Sequence, residues 1–310
     1  MQSRPLKEKV RHLYLRLKYP FRKAVFFNPF QYVKNLIEEP KLKFKHYLSV
    51  CAEAKNEASY FQEWIEYHRL IGVEKFYIYD NESTDNTRKV LEPYIKKGIV
   101  EYYFTPGRGR QRAVYRDCVK RHRYNTKWLA FIDIDEFFVP IEPQTLPEFL
   151  AKLPGNVSQM TVRWLAFGSS GHKARPAGLV IENFQHRAKN SYSLIGKSIV
   201  NPRRVLRSSI THSIVLGRTV DENGDDLSGV YFVNKPDYTH KIRLHHYGIK
   251  SWEEFSQRAA RGDSLRKNPN AGKKKYTKDY FEHADVGEVH DTVMNKWVAQ
   301  VKKAVAKVGS

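Results

Sequence analysis

The 310-residue chain reads as an α/β protein built on a mostly parallel sheet. Three observations predict this. Short apolar runs of strand length alternate with amphipathic helical segments from residue 46 to residue 140. The connections between them are short, which favours parallel neighbours joined by crossover helices. Each polar cluster falls where an apolar run ends, and in such sheets ligands gather at the carboxyl ends of the strands.

The elements follow in order. His46–Ala52 (HYLSVCA) is an apolar run of strand length. Ser59 and Gln62 have the spacing of a capping box, Phe61, Trp64, Ile65 and His68 form an apolar stripe, and Gly72 supplies a C-terminal stop. Lys75–Tyr79 is a strand that runs into the polar loop DNESTDNT. A helix from about Thr87 to Lys97 stops at Gly98. Ile99–Phe104 is a strand and Gln111–His122 a helix. Trp128–Ile134 is a buried strand ending in acids. Beyond Pro140 the alternation weakens. Thr145 with Glu148, and Ser251 with Glu254, have the capping-box spacing. Gln159–Trp164 is strand-like and leads into the Gly/Ser loop FGSSGH. No internal repeat is visible.

Composition narrows the function classes. Hydrophobic residues at 41% and aromatics at 13% exclude a disordered chain. No stretch approaches the roughly 20 apolar residues of a membrane helix, and no apolar region of a secretory signal follows the basic N-terminus. With only two cysteines, Cys51 and Cys118, a reducing, cytoplasmic setting is the default expectation. The net charge of +21 favours anionic partners. It is concentrated at the ends: residues 1–45 carry twelve Lys/Arg against three Asp/Glu, and residues 266–310 carry ten against five. The basic, aromatic-rich segment 1–45 suits an arm lying on an anionic membrane face, or a solvated arm on the domain. Nucleic acid is the rival partner for so basic a chain. No RNA- or DNA-binding signature accompanies the charge, and nucleic-acid binding needs no acidic strand end, so none is expected.

The chemistry-bearing residues centre on Phe131–Phe138, FIDIDEFF. Asp133, Asp135 and Glu136 directly follow the apolar strand, and the i, i+2 spacing of a strand lets Asp133 and Asp135 face one site together. Two close carboxylates repel unless a cation sits between them, and oxygen ligands suit Mg²⁺ or Mn²⁺. Asp80, Asn81, Ser83 and Asp85 end one strand, where they could bind a ribose or base edge or serve as turn and cap. Glu53, Lys55, Asn56 and Glu57 stand in the same ambiguity after the first strand. His246 could complete a metal site or be structural. Arg108, Arg110 and Arg112 could contact phosphates or line a solvated loop.

Taken in order, AEAKNEASYFQEWIEYHRLIGVEKFYIYDNESTD, Gln111, WLAFIDIDEFFVP, WLAFGSSGH and HHYGIKSWEEFSQRAARG resemble glycosyltransferase family 92 and its bacterial relatives in the broader family-2-like group. The resemblance runs from about Leu48 to Gly262. It implies a GT-A type fold, with a Rossmann-like nucleotide-sugar-binding half at 46–140 and an acceptor-binding half at 141–265. The basic arm 1–45 and a basic tail 266–310 flank them. It implies inverting transfer of a hexose from a UDP-sugar to a glycan or lipid-linked acceptor in surface polysaccharide synthesis, at the inner membrane face. Asp133, Asp135 and His246 would hold Mn²⁺ or Mg²⁺. Glu53, Lys55, Asn56, Asp80, Asn81, Asp85 and Gln111 would line the nucleotide pocket, and Trp164, Phe167, Gly168, Ser169 and His172 would face the acceptor. The family often has Lys where this chain has Arg258. An inverting reaction also needs a general base. Glu182 is the first choice, with Asp263 as the alternative.

Overall fold

The computed structural model describes residues 42–142, 145–189, 196–208, 213–227, 239–261 and 276–308. Asp263 and nearly all of the basic arm lie outside them. The first half is a run of crossover units. It comprises β1 (His46–Ala54), α1 (Ala58–Leu70), β2 (Lys75–Asp80), α2 (Thr87–Lys96), β3 (Val100–Phe104), α3 (Gln111–His122) and β4 (Thr126–Phe131). These strands pair in parallel in the order β3-β2-β1-β4. The mostly parallel α/β class predicted from the alternation is therefore what forms.

The second half contains β5 (Glu136–Pro140), α4 (Leu146–Ala151), β6 (Val157–Ala166), α5 (Val180–Asn183), β7 (His186–Arg187), β8 (Gly196–Val200), β9 (Val205–Arg207), β10 (Ile214–Val215), β11 (Arg218–Val220) and β12 (Ile242–His246). It is not a separate sheet. β8 inserts antiparallel between β4 and β6 and extends the same sheet as β4-β8-β6-β12-β5. β12 runs parallel to β6 and antiparallel to β5.

The capping readings divide. Thr145 and Glu148 form the reciprocal box, and Ser251 and Glu254 exchange the same bonds ahead of α6 (Trp252–Arg261). Ser59 does not cap α1, which begins one residue earlier at Ala58. The exposed backbone N–H of Ala58 instead donates to Asp85 Oδ2 from the neighbouring loop at 3.0 Å.

Helix α1 holds β5, the last strand of the sheet path. Trp64 Nε1 donates to the Glu136 carbonyl at 2.9 Å and Tyr67 Oη to the Phe138 carbonyl at 2.7 Å. His68 Nε2 accepts the Phe138 N–H at 3.3 Å, while Nδ1 lies 2.8 Å from the Trp64 carbonyl. Those two bonds require a neutral imidazole, and burial pushes His68 down to about 3. The free edge of β5 thus finds partners inside the protein, as an unpaired strand edge must. This fixes the start of β5, and with it Glu136.

The stretch read as a basic tail is folded from Tyr276 to Val308. It forms α7 (Lys278–Ala284), β13 (Val289–His290) and α8 (Asn295–Ala306). The ring of Trp297 meets Tyr67 edge-on at 5.4 Å, and Met294, Trp297 and Val301 are buried in the main core. The lysines of α8 lie on its outer face, which is why composition alone reads it as a tail. Among the described residues no helix is long and apolar enough to cross a membrane.

Candidate active site

The site lies where β1, β2, β4, β6 and β12 end and where β5 and β8 begin. The chain leaves β4 at Phe131, turns through Asp133, Ile134 and Asp135, and enters β5 at Glu136. The strand expected to reach Ile134 therefore stops three residues early. Alternation along a strand no longer applies, and the two aspartates go to different partners.

Asp133 is held from both sides. Its Oδ1 accepts Gln111 Nε2 at 2.9 Å and its Oδ2 accepts Lys197 Nζ, from β8, at 2.7 Å. Asp135 instead faces β12 and α6. Its Oδ2 accepts Arg258 Nη1 at 2.7 Å, and its Oδ1 lies 3.8 Å from His246 Nε2. Burial alone would raise the Asp135 carboxyl, but Arg258, then His246 and Lys250, outweigh it and hold it below the usual range. Register explains the third member: His246 pairs directly with Glu136 across β12 and β5. Glu136 is fully buried. Its Oε2 accepts the Asp133 N–H at 2.9 Å and lies 3.3 Å from Lys197 Nζ. Burial pushes its pKa up to about 8, with Lys197 opposing and Asp133 and Asp135 adding to the rise.

A metal can be tested against this arrangement. Asp135, Glu136 and His246 each present one ligand atom, all within 4.8 Å of one another. Glu136 Oε1 is buried without a hydrogen-bond partner among the described residues. Burial also lowers the pKa of His246, against the opposing pull of Asp135, which favours the neutral imidazole that a metal needs. Two carboxylate oxygens and one imidazole nitrogen suit Mn²⁺ or Mg²⁺. The residues fit the ion; of the expected Asp133, Asp135 and His246, the geometry groups Asp135 and His246 with Glu136 in place of Asp133. Asp133 has both oxygens engaged elsewhere.

The nucleotide-side residues are brought together at the ends of β1 and β2. Asp80 accepts the Ser83 N–H at 2.9 Å and the Tyr102 hydroxyl at 2.6 Å. Asn81 Nδ2 donates to the carbonyls of Thr105 and Gly107 at 2.9 and 2.6 Å. Asn56, at φ 55°, accepts the Thr84 N–H at 2.7 Å. Asp85 accepts from Ala58 and Thr87, at the first turns of α1 and α2. The turn-and-cap reading of this cluster is what forms: these side chains build the loop, and the loop rims the sheet end. Glu53 is pushed up to about 7 by burial, then by Asp133, with Arg110 and Lys55 opposing. Both its carboxylate oxygens are buried without a hydrogen-bond partner among the described residues.

The acceptor-side residues separate. Trp164 belongs to the site, stacked on His246 at 4.8 Å with 20° between planes. Phe167 does not reach its surface; it is 2% exposed and packs on His245 and Tyr247. Gly168 and Ser169 serve the turn. A Cβ at Gly168 would meet the Val286 carbonyl at 2.1 Å. The Ser169 N–H and hydroxyl donate to Asp285 at 2.6 and 2.8 Å. The ring of His172 rests edge-on against Phe184. Glu182 is committed to Lys302 Nζ on α8 at 2.6 Å, and none of its hydrogen bonds or ion pairs reaches Asp135, Glu136 or His246.

Of the two cations beside the acids, the sequence pointed to only one. Lys197 carries no local signal, since GKSIV is an ordinary buried strand. Arg258 stood out only as a departure from the family. Glu136 was visible beside the two aspartates, and only the turn brings it together with Asp135 and His246.

Among curated relatives, a glycosyltransferase family 92 protein of Ricinus communis is 30% identical over 226 residues, covering 71% of this chain and 39% of its own. The Caenorhabditis elegans beta-1,4-galactosyltransferase galt-1 is 28% identical over 246 residues, covering 72% of this chain and 54% of its own. The chain thus spans about two fifths of the first of these relatives and about half of the second. They come from plants and a nematode, so they lend no support to the expected bacterial placement. Among solved structures, S. aureus TarS 1-349 in complex with UDP matches at 14% identity and TM-score 0.34, over 50% of this chain and 47% of that one. That likeness is too loose to carry an argument. The family model for glycosyltransferase family 92 matches residues 46–280, about three quarters of the chain and every residue of the Asp135, Glu136 and His246 group, and the chain belongs to that family.

Proposed function

We propose that the chain is a glycosyltransferase that moves a hexose, with inversion, from a UDP-sugar to a glycan or lipid-linked acceptor. The observation that carries this reading is the joining of Asp135, Glu136 and His246 at the carboxyl end of the β3-β2-β1-β4 sheet. That is where an α/β sheet receives a nucleotide. A divalent ion held there supplies charge stabilisation to a departing diphosphate. Arg258 and Lys197 keep two further fixed cations beside the acids, which favours an anionic leaving group in a buried site. Trp164, stacked on His246, offers a flat face to a sugar ring beside the reacting centre. Glu53 and the loop built by Asn56, Asp80 and Asn81 would take the nucleoside.

The donor proposed first is UDP-galactose, because galt-1 and the Arabidopsis galactan beta-1,4-galactosyltransferase GALS1 are named for galactosyl transfer. Segment 1–45 is proposed to rest on an anionic membrane, and loss of vesicle flotation on deleting residues 1–40 would support it. The test of the function is a panel of UDP- and GDP-sugars, with Mn²⁺ or with EDTA, read as released nucleotide. One UDP-hexose should be slowly hydrolysed in Mn²⁺ only. Equal release from every donor, or none from any, would contradict the proposal.

A further inference from the structure

Lys197 is a buried ammonium that a metal site does not obviously need. It is 1% exposed, yet it lies 2.7 Å from Asp133 Oδ2 and 3.3 Å from Glu136 Oε2, with the Trp164 ring 5.7 Å away. Burying a lysine is costly unless it is paired and hydrogen-bonded. Here burial works against the charge, and the two acids outweigh it. The register of β8 between β4 and β6 brings it there. It therefore stands beside the turn that separates the two aspartates.

We propose that Lys197 is a positioning residue that keeps Asp133 out of the metal site and so confines the divalent ion to Asp135, Glu136 and His246. This rests on the metal reading above. The reasoning is geometric. Three carboxylates follow one another within four residues, and a dication offered all three would draw in as many as it could reach. Lys197 and Gln111 between them occupy both oxygens of Asp133. Lys197 also takes Oε2 of Glu136, which leaves Oε1 as the oxygen without a partner. A fixed cation here does two things: it uses up the spare acid, and it lowers the affinity of the site for a second cation. A bound ion would thereby be left to Asp135, Glu136 and His246 rather than drawn toward Asp133.

The sign of the effect separates this role from a merely structural one. Lys197→Met should bind Mn²⁺ about tenfold more tightly or better, because it frees a carboxylate and removes a repelling charge. Its UDP-hexose hydrolysis should fall at least tenfold, because the ion is no longer confined. A variant that is only damaged would lose both. Mn²⁺ affinity is read on the full chain by electron paramagnetic resonance of free Mn²⁺, with thermal melts as the folding check. Unchanged or weaker Mn²⁺ binding in a folded Lys197→Met would overturn the proposal. If that variant does not fold, Asp133→Asn decides. It should bind Mn²⁺ within about threefold of wild type, whereas a tenfold loss would make Asp133 a ligand and overturn the proposal. No sugar donor enters these titrations. A wild type that binds Mn²⁺ but hydrolyses no nucleotide-sugar would defeat the functional proposal and leave this one standing.

Discussion

Glu63 makes the fold's stability depend on pH in a direction opposite to the usual carboxylate. It sits on α1, 6% exposed, and its oxygens accept the N–H groups of Val180 and Ile181 at 2.8 and 2.9 Å. Burial raises its pKa from 4.5 to about 7, although those two bonds, Lys250 and Arg175 all favour the charged form. Because the folded value lies above the unfolded one, the folded state binds the proton more tightly. Between pH 4.5 and 7 the native chain holds more protons than the unfolded chain, so this group's contribution falls as pH rises. A shift of that size corresponds to roughly 3 kcal/mol, of which about 2.5 kcal/mol develops between about pH 5 and pH 8. Glu63→Gln removes the titration and loses one backbone bond at every pH. The stability difference, variant minus wild type, should therefore rise by about 2 to 3 kcal/mol from pH 5 to pH 8, whatever its offset. Urea unfolding at four pH values measures it, and the subtraction cancels other groups, Glu53 and Glu136 included. A difference that stays flat across the range would refute the reasoning.

Three further outcomes are expected. Trp297→Ala removes the ring that meets Tyr67 in the core, and should cost about 3 to 5 kcal/mol in urea unfolding. A cost below 1 kcal/mol would make residues 276–308 the tail that composition suggested. Glu182→Gln should leave sugar transfer within about threefold of wild type, since its partner is Lys302; a hundredfold loss would restore it as the general base. Gly168→Ala forces a Cβ into the Val286 carbonyl and should cost about 1 to 3 kcal/mol, whereas Gly155→Ala, with nothing within 4 Å, should cost little.

Much of the fold was legible because its signals are local. The parallel half follows from apolar runs, helical stripes and glycine stops that each concern a dozen residues. What could not be read is what depends on distant partners. β8 enters the sheet between β4 and β6 only because both leave an edge open, and nothing in GKSIV announces that. Asp85 replaces Ser59 at the start of α1 through a contact 27 residues away in sequence. Alternation correctly pointed to acids at a strand end, but the strand stops at Phe131. The turn then gives Asp133 to Lys197 and Gln111, and leaves Glu136 to face His246. A family pattern can name the acids; only the register of β5 against β12 says which of them meet.

Asp135, Glu136 and His246 are proposed to hold the ion on which nucleotide release depends. The most direct measurement is nucleotide release from the preferred UDP-hexose by wild type and Asp135→Asn across a Mn²⁺ titration. Release should require Mn²⁺ in the wild type. In Asp135→Asn, release falls at least about a hundredfold, equivalent to some 3 kcal/mol of transition-state stabilisation. Equal release from the variant, or full wild-type release in EDTA, would contradict it.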